Sequence, residues 1–185
     1  MTPDLTESLW LAAYVAMLVA AVWRDATAQR IPNWAVLSGA AFALALSTAH
    51  GGIGLGRAMS GLAAGLALLL PFNLLRVMGA GDVKLLAAVG AFVGFPGVLG
   101  VALVAFLAGG AMSLAWAIRF RNVRTVLRNL RAGFFTGLAQ VVAGNLPRAG
   151  DLPVSTIRLP YAFAIAIGAG AHVLLSGKLG WKNAV

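Results

Sequence analysis

The feature that constrains this chain most is a series of apolar runs, each nearly long enough to cross a bilayer. Charged residues make up 10% of the chain and apolar residues 61%, whereas a soluble domain has about 25% charged residues. A transmembrane helix uses roughly 17–25 apolar residues. The sequence therefore predicts an all-α integral membrane protein with about six transmembrane helices, over residues 8–24, 34–49, 57–75, 82–94, 98–118 and 160–176. Because several runs are short, five and seven helices are the alternatives.

Most polar segments between these runs are short, so we expect one polytopic membrane domain over residues 1–185, with a longer basic loop at about 119–159. Residues 1–7 carry Asp4 and Glu7 but no cation, unlike the positively charged start of a secretory signal. We therefore expect the first helix to be retained.

Residue types that are absent or isolated narrow the possible chemistry. The chain has no cysteine, which excludes disulfides, thiol catalysis and Cys-ligated zinc. His50 and His172 lie near the ends of apolar runs without an acidic neighbour in sequence, so we interpret them as interfacial residues. Neither a metal nor a cofactor is expected.

The cations predict which helix ends face the cytoplasm, because Lys and Arg accumulate in short cytoplasmic loops. If the N-terminus lies outside, only Arg57, Lys178 and Lys182 fall in outer segments. The other eleven cations are then inside: Arg24, Arg30, Arg76, Lys84, Arg119, Arg121, Arg124, Arg128, Arg131, Arg148 and Arg158. We predict that both termini lie outside, and we attribute the net charge of +9 to membrane orientation, with no nucleic-acid partner.

The long loop contains a segment with the pattern of a basic amphipathic helix. Its cationic face is formed by Arg121, Arg124, Arg128 and Arg131. Its apolar face is formed by Val123, Val126, Leu127, Leu130 and Phe134. Such a helix is expected to lie in the headgroup layer and to bind anionic membrane lipids.

A carboxylate lies between two long apolar runs at Asp82, within the stretch Gly79-Ala-Gly-Asp-Val-Lys84. Gly79 is expected to take the left-handed conformation that ends one helix, and Gly81 to let another backbone approach. Asp82 would then open the next helix, where capping alone is sufficient to explain a carboxylate. A cation in a first turn opposes the helix dipole, so we interpret Lys84 as marking the membrane side or meeting an anion.

The second acid at an apolar boundary is Asp25, which follows the first run on the same predicted face as Asp82. The dipole at a helix C-terminus disfavours an anion, so capping does not explain Asp25. Ionisable groups at membrane helices are costly and usually functional. The alternative is an ion pair with Arg24 or Arg30.

Two aspartates that meet can share one proton, because repulsion raises the pKa of one carboxyl and leaves the other ionised. Such a pair supplies an acid and a base in one site. With a water between them, Asp25 and Asp82 could hydrolyse an amide without a nucleophilic Ser or Cys.

The stretch Gly-Ala-Gly-Asp-Val-Lys at 79–84 resembles the Gly-x-Gly-Asp-x-Lys motif of the type IV prepilin peptidases. Asp25 with Ile31-Pro32-Asn33 resembles their first aspartate motif, and Leu159-Pro-Tyr161 with the small residues up to Gly170 resembles their final helix. The resemblance implies that Asp25 and Asp82 are catalytic and that Gly79, Gly81, Lys84, Ile31, Pro32 and Asn33 support them. It also implies a prepilin or pseudopilin substrate with a basic leader, cleaved at the cytoplasmic face of a bacterial inner membrane.

Departures from the family pattern refine this resemblance. The longest members carry a cysteine-containing cytoplasmic insertion associated with N-methylation, and this chain has neither the cysteines nor room between its first two helices. It resembles the short, peptidase-only branch associated with Flp/Tad-type pili. Presenilin-like proteases share Gly-x-Gly-Asp, but here Arg24 precedes the first aspartate instead of Tyr, and no Pro-Ala-Leu follows.

Two other functional classes remain as alternatives. A small proton-coupled transporter could use the aspartates as a relay, although transporter sites usually lie near the midplane at broken helices. A noncatalytic subunit of a pilus or secretion assembly could use the basic helix to bind lipid or a partner.

The cation distribution makes a topology prediction that cysteine labelling can check. Since the chain has no native cysteine, a cysteine at Asn183 should react with an impermeant thiol reagent added outside intact cells. Cysteines at Ala28 and Asn122 should react only after permeabilisation. The opposite labelling pattern would reject the predicted orientation.

Overall fold

A computed structural model describes residues 3–48, 52–74, 78–119, 128 and 161–175. The described part contains six helices and no strand, which confirms the predicted all-α class. The helices are α1 (Pro3–Ala28), α2 (Asn33–Ser47), α3 (Leu55–Leu74), α4 (Ala80–Val93), α5 (Gly97–Arg119) and α6 (Tyr161–Leu175).

Three segments of these helices are long and apolar enough to cross a membrane: Leu5–Ala28, Leu55–Leu74 and Gly97–Trp116. Many large apolar side chains on them are exposed, as lipid-facing side chains are. Helices α2, α4 and α6 have only 15, 14 and 15 residues. At a rise of about 1.5 Å per residue they are shorter than the roughly 30 Å hydrocarbon layer. The count of six membrane crossings therefore remains a prediction.

Helix α4 lies at the centre of the structure. It contacts each of the other five helices, and these five form a closed ring around it in the order α1, α2, α3, α5, α6. Every α4 residue from Val83 to Val93 is buried except Lys84. This arrangement explains why α4 is apolar on all sides beyond its first turn, because every side of the helix packs against other helices.

The closest helix contact joins α3 to α4 at paired glycines. A Cβ atom at Gly61 would collide with the carbonyl oxygen of Gly90, and a Cβ atom at Gly90 would collide with that of Gly61. One turn along α3, a Cβ atom at Gly65 would lie 2.6 Å from the Leu86 carbonyl oxygen. The four-residue spacing of Gly61 and Gly65 in the sequence predicts close helix packing, and these contacts confirm it, because only a hydrogen atom fits between the two backbones.

An aromatic cluster aligns α1 with α4. The ring of Phe92 lies 5.1 Å from that of Trp10 and 5.0 Å from that of Tyr14, measured between centroids. All three side chains are among the largest that are fully buried. Because edge-on and tilted aromatic pairs have preferred geometries, this cluster sets how far α1 is shifted along α4.

The paired glycines predict a position-specific effect of alanine within α3. Gly61→Ala should lower the melting temperature in detergent, because its methyl group must push against the α4 backbone. Gly56→Ala is the matched control, since a Cβ atom there has no neighbour within 4 Å. It should leave the melting temperature unchanged or raise it, because alanine favours a helix by about 1 kcal/mol over glycine. Equal effects of the two substitutions would contradict the close contact.

Candidate functional site

The antiparallel packing of α1 and α4 brings the two predicted aspartates to the same end of the ring. Asp25 lies eleven residues after Tyr14, and Asp82 lies ten residues before Phe92. At about 1.5 Å per residue these distances are about 16 Å and about 15 Å along the two helix axes. Starting from the shared aromatic cluster, the two helices therefore reach Asp25 and Asp82 at nearly the same level.

Asp25 is buried in the last turn of α1, with 8% of its surface exposed. Its Oδ2 atom accepts a hydrogen bond from the backbone N–H of Ala162, at 3.1 Å. Ala162 is in the first turn of α6, where free N–H groups and the helix dipole favour an anion. In the described part of the chain Asp25 makes no ion pair with Arg24 or Arg30, both of which are exposed, so that alternative is wrong.

Asp82 occupies the third position of α4 and is partly buried. Its carboxylate accepts a hydrogen bond from the backbone N–H of Gly79, the residue that precedes the helix. This is the side-chain half of a capping box, in which the third helical residue satisfies the N–H of the capping residue. The N-cap residue is Gly79, so the N-cap position that the sequence left open as an alternative for Asp82 is wrong. So is the left-handed conformation expected for Gly79, which is extended (φ −70°, ψ 145°).

The two carboxylates interact electrostatically. Asp82 lies outside the three candidate spans, and its pKa is raised to about 6, first by burial and then by the negative charge of Asp25. The hydrogen bond from Gly79 opposes this change only in part. Near neutral pH the pair therefore takes up a proton far more readily than two solvated aspartates would.

Residues of the two sequence motifs contact one another directly. A Cβ atom at Gly81 would lie 3.0 Å from the Cβ atom of Ile31 and 3.3 Å from its Cδ1 atom. Gly81 therefore makes room for a side chain and not, as predicted, for another backbone. This contact seats the segment between α1 and α2 against the first turn of α4.

A hydrogen bond joins the same two motifs on their exposed side. The Nζ atom of Lys84 donates to Oδ1 of Asn33 at 3.0 Å. Asn33 is the first residue of α2, and Pro32 is the extended residue that precedes it. Of the two interpretations of Lys84, an anionic partner is not found among the described residues, where Lys84 meets a neutral amide oxygen, and a position on the membrane side stays a prediction. The hydrogen bond ties the start of α2 to the start of α4.

The segment that leads into Asp82 is held by residues that the sequence did not single out. Met78 donates its backbone N–H to the carbonyl oxygen of Phe72 at 3.3 Å, and its own carbonyl oxygen accepts from Nδ2 of Asn73 at 3.1 Å. Both partners are in the last turn of α3. An amide side chain just after an in-helix proline is the sequence signal that could have indicated this anchor.

The start of α6 is the other part of the site that the residue-by-residue interpretation missed. Tyr161 lies beside Ala162, and its ring packs on Gly109 of α5, where a Cβ atom would lie 2.5 Å from the ring Cε2 atom. The Tyr161 hydroxyl is near enough to the Asp82 carboxylate for their charges to interact. Only the family resemblance of Leu159-Pro-Tyr161 pointed to this position.

The remaining predicted site residues have a limited structural description. Arg121, Arg124 and Arg131 lie outside the described residues, and Arg128 is described only as an exposed residue. Among the described residues, no group of three or more His, Asp or Glu side chains is placed to hold a metal ion.

Comparison with known proteins gives one match. The sequence pattern of the type IV leader peptidase family matches residues 12–114, which is more than half of the chain and includes both aspartates. No curated protein and no solved structure matches the chain.

The raised pKa of Asp82 predicts how stability depends on pH. The folded protein binds the Asp82 proton more tightly than the unfolded chain does, so protonation of Asp82 contributes to the stability of the fold. This contribution to stability is full below about pH 4 and is lost as the pH rises through about 6. Asp82→Asn resembles the protonated form at every pH. The melting temperature of the variant relative to the parent should therefore increase between about pH 4 and pH 7. A constant difference across this range would refute the raised pKa.

Proposed function

We propose, because the chain belongs to the type IV leader peptidase family, that it is an aspartic endopeptidase whose catalytic pair is Asp25 and Asp82. The single observation that carries this proposal is the convergence of the two carboxylates. The two aspartates are 57 positions apart in sequence and lie on different helices, and the charge of Asp25 helps to raise the pKa of Asp82. Glu7, the one further acid whose side chain the structure describes, is not buried as Asp25 is.

The pair can hydrolyse a peptide bond with a water as the nucleophile. The ionised carboxylate removes a proton from the water as its oxygen attacks the carbonyl carbon, and the C=O electron pair moves onto the carbonyl oxygen. The protonated carboxyl group stabilises this oxygen and then supplies the proton that the leaving nitrogen needs. When the C–N bond breaks, the pair has gained one proton from water and given one to the amine. It returns to its starting state.

The environments of the two acids suit these roles. The backbone N–H of Ala162 holds the Asp25 carboxylate, and that of Gly79 holds Asp82. The two motif contacts, Ile31 with Gly81 and Asn33 with Lys84, keep the supporting segments together. Preorganised groups of this kind reduce the cost of aligning an acid, a base and a water for reaction.

The proposed substrate is the leader of a type IV prepilin or pseudopilin, cleaved at the cytoplasmic face of a bacterial inner membrane. Both acids lie at helix ends on one end of the ring, as expected for a boundary site and unlike a transporter site at the midplane. The cation distribution supports a cytoplasmic location for that end. We further propose that residues 1–185 act as one domain, and that the basic segment within 119–159 binds anionic lipid near the site.

Coexpression with candidate prepilins tests the proposal. Asp25→Asn and Asp82→Asn should each abolish leader cleavage, with membrane levels maintained, because each removes half of the shared-proton pair at nearly constant volume. The double variant should be no worse than either single one, as for groups that act as a unit. Glu7→Gln is the matched control, since Glu7 is an acid near the opposite end of α1, and cleavage should continue. Processing by either aspartate variant at the parental rate would reject the catalytic assignment.

A further inference from the structure

Tyr161 lies at the start of α6, beside the residue that binds Asp25, and is fixed from two sides. Its backbone directly precedes Ala162, whose N–H binds Asp25. Its ring packs so closely on Gly109 of α5 that no side chain could occupy that position without moving it. A second close contact holds α6 on α5 farther along α6, where Gly168 approaches the backbone of Val101 and Ala105. The phenol therefore has little freedom to move relative to Asp25.

The phenol of this tyrosine is on the first residue of the helix whose next residue holds Asp25. It interacts electrostatically with the Asp82 carboxylate. Nevertheless, no described residue forms a hydrogen bond with the Tyr161 hydroxyl, and the side chain is only partly buried. A rigid O–H donor with no partner among the described groups, beside the acid pair, is suited to bind a substrate atom.

We propose that Tyr161 is a third catalytic residue, whose phenolic O–H donates a hydrogen bond to the carbonyl oxygen of the scissile peptide bond. This inference rests on the proposed function, because it requires that Asp25 and Asp82 activate the water. It assigns a role to α6 that neither aspartate motif carries. It also lies outside residues 12–114, the part of the chain that the family pattern matches.

The chemistry requires a donor at this place. When the water oxygen bonds to the carbonyl carbon, the carbonyl π-electron pair becomes a lone pair on an oxygen that carries negative charge. A hydrogen bond that strengthens as this charge develops lowers the barrier more than it stabilises bound substrate. The tyrosine keeps its proton throughout, so proton transfer remains with the aspartates. Burial, and then the negative charge of Asp82, favour the protonated phenol, which is the form that can donate.

The chain offers a matched pair of substitutions for the test. It has two tyrosines, and the second, Tyr14, has a fully buried hydroxyl in the aromatic cluster of α1 and α4. Tyr161→Phe and Tyr14→Phe each remove one oxygen atom, and Phe retains the ring that packs on Gly109. The assay uses the purified full chain in detergent with a prepilin that the parent cleaves, with Asp82→Asn as the inactive reference.

We expect Tyr161→Phe to lower kcat by about 100-fold, the effect of removing one oxyanion donor in other enzymes, with KM changed less than about twofold. Its melting temperature should match the parent, and Tyr14→Phe should keep the parental kcat. Parental kcat for Tyr161→Phe, or a change in KM alone, would overturn the role of Tyr161. When the parent cleaves and Asp82→Asn does not, parental kcat for Tyr161→Phe rejects only the role of Tyr161 and leaves the proposed aspartic peptidase activity intact.

A second measurement remains decisive if Tyr161→Phe is unstable. In the Tyr14→Phe background Tyr161 is the sole tyrosine, so biosynthetic incorporation of a fluorinated tyrosine labels that position alone. Fluorination makes the phenol more acidic with little change in shape. At the pH optimum, which the aspartate pair sets, the phenol keeps its proton, and the more acidic O–H is a stronger hydrogen-bond donor to the developing oxyanion, so kcat should rise with little change in KM. Equal kcat values for the labelled and unlabelled Tyr14→Phe proteins would overturn the proposal.

Discussion

The enclosure of α4 by the other five helices is the constraint on which the rest of the structure depends. A helix of 14 residues that is buried on all sides cannot be placed by an amphipathic face. Its position is set instead by steric contact, above all by the backbone-to-backbone packing of Gly61 on Gly90. Close packing of this kind relies on dispersion and fixes a helix to within a fraction of an ångström, because small residues leave no flexible side chain to adjust.

This scaffold buries two carboxylates near each other, which is energetically unfavourable. A buried acid is tolerated where backbone N–H groups satisfy it, and both acids meet that condition by using the start of a helix. Asp82 uses the start of its own helix, through Gly79, whereas Asp25 uses the start of α6, through Ala162. The hydrogen bond to Asp25 comes from a different helix, so it depends on how α6 packs against α5.

The two aspartate motifs contact each other directly as well as carrying the two candidate acids. Gly81 receives Ile31, and Lys84 donates to Asn33, so residues 50 and 51 positions apart hold the start of α2 against the start of α4. Each motif thus supplies residues that contact the other motif. Together with the start of α6, these contacts build a site from α1, α2, α4 and α6, with α3 holding the approach to Asp82 through Asn73.

The sequence by itself determined the all-helical class, the limits of most helices to within a few residues, the close packing at Gly61 and the two candidate acids. It could do so because hydrophobic run length, small-residue spacing and an isolated carboxylate are local properties. Only the tertiary structure decided that Gly79 is extended, that Lys84 meets Asn33, and that Ala162 binds Asp25. The contact of Lys84 with Asn33 joins residues that are 51 positions apart, and the contact of Ala162 with Asp25 joins residues that are 137 positions apart. The second contact uses a backbone N–H, which every residue except proline carries, so no residue type marks it in the sequence.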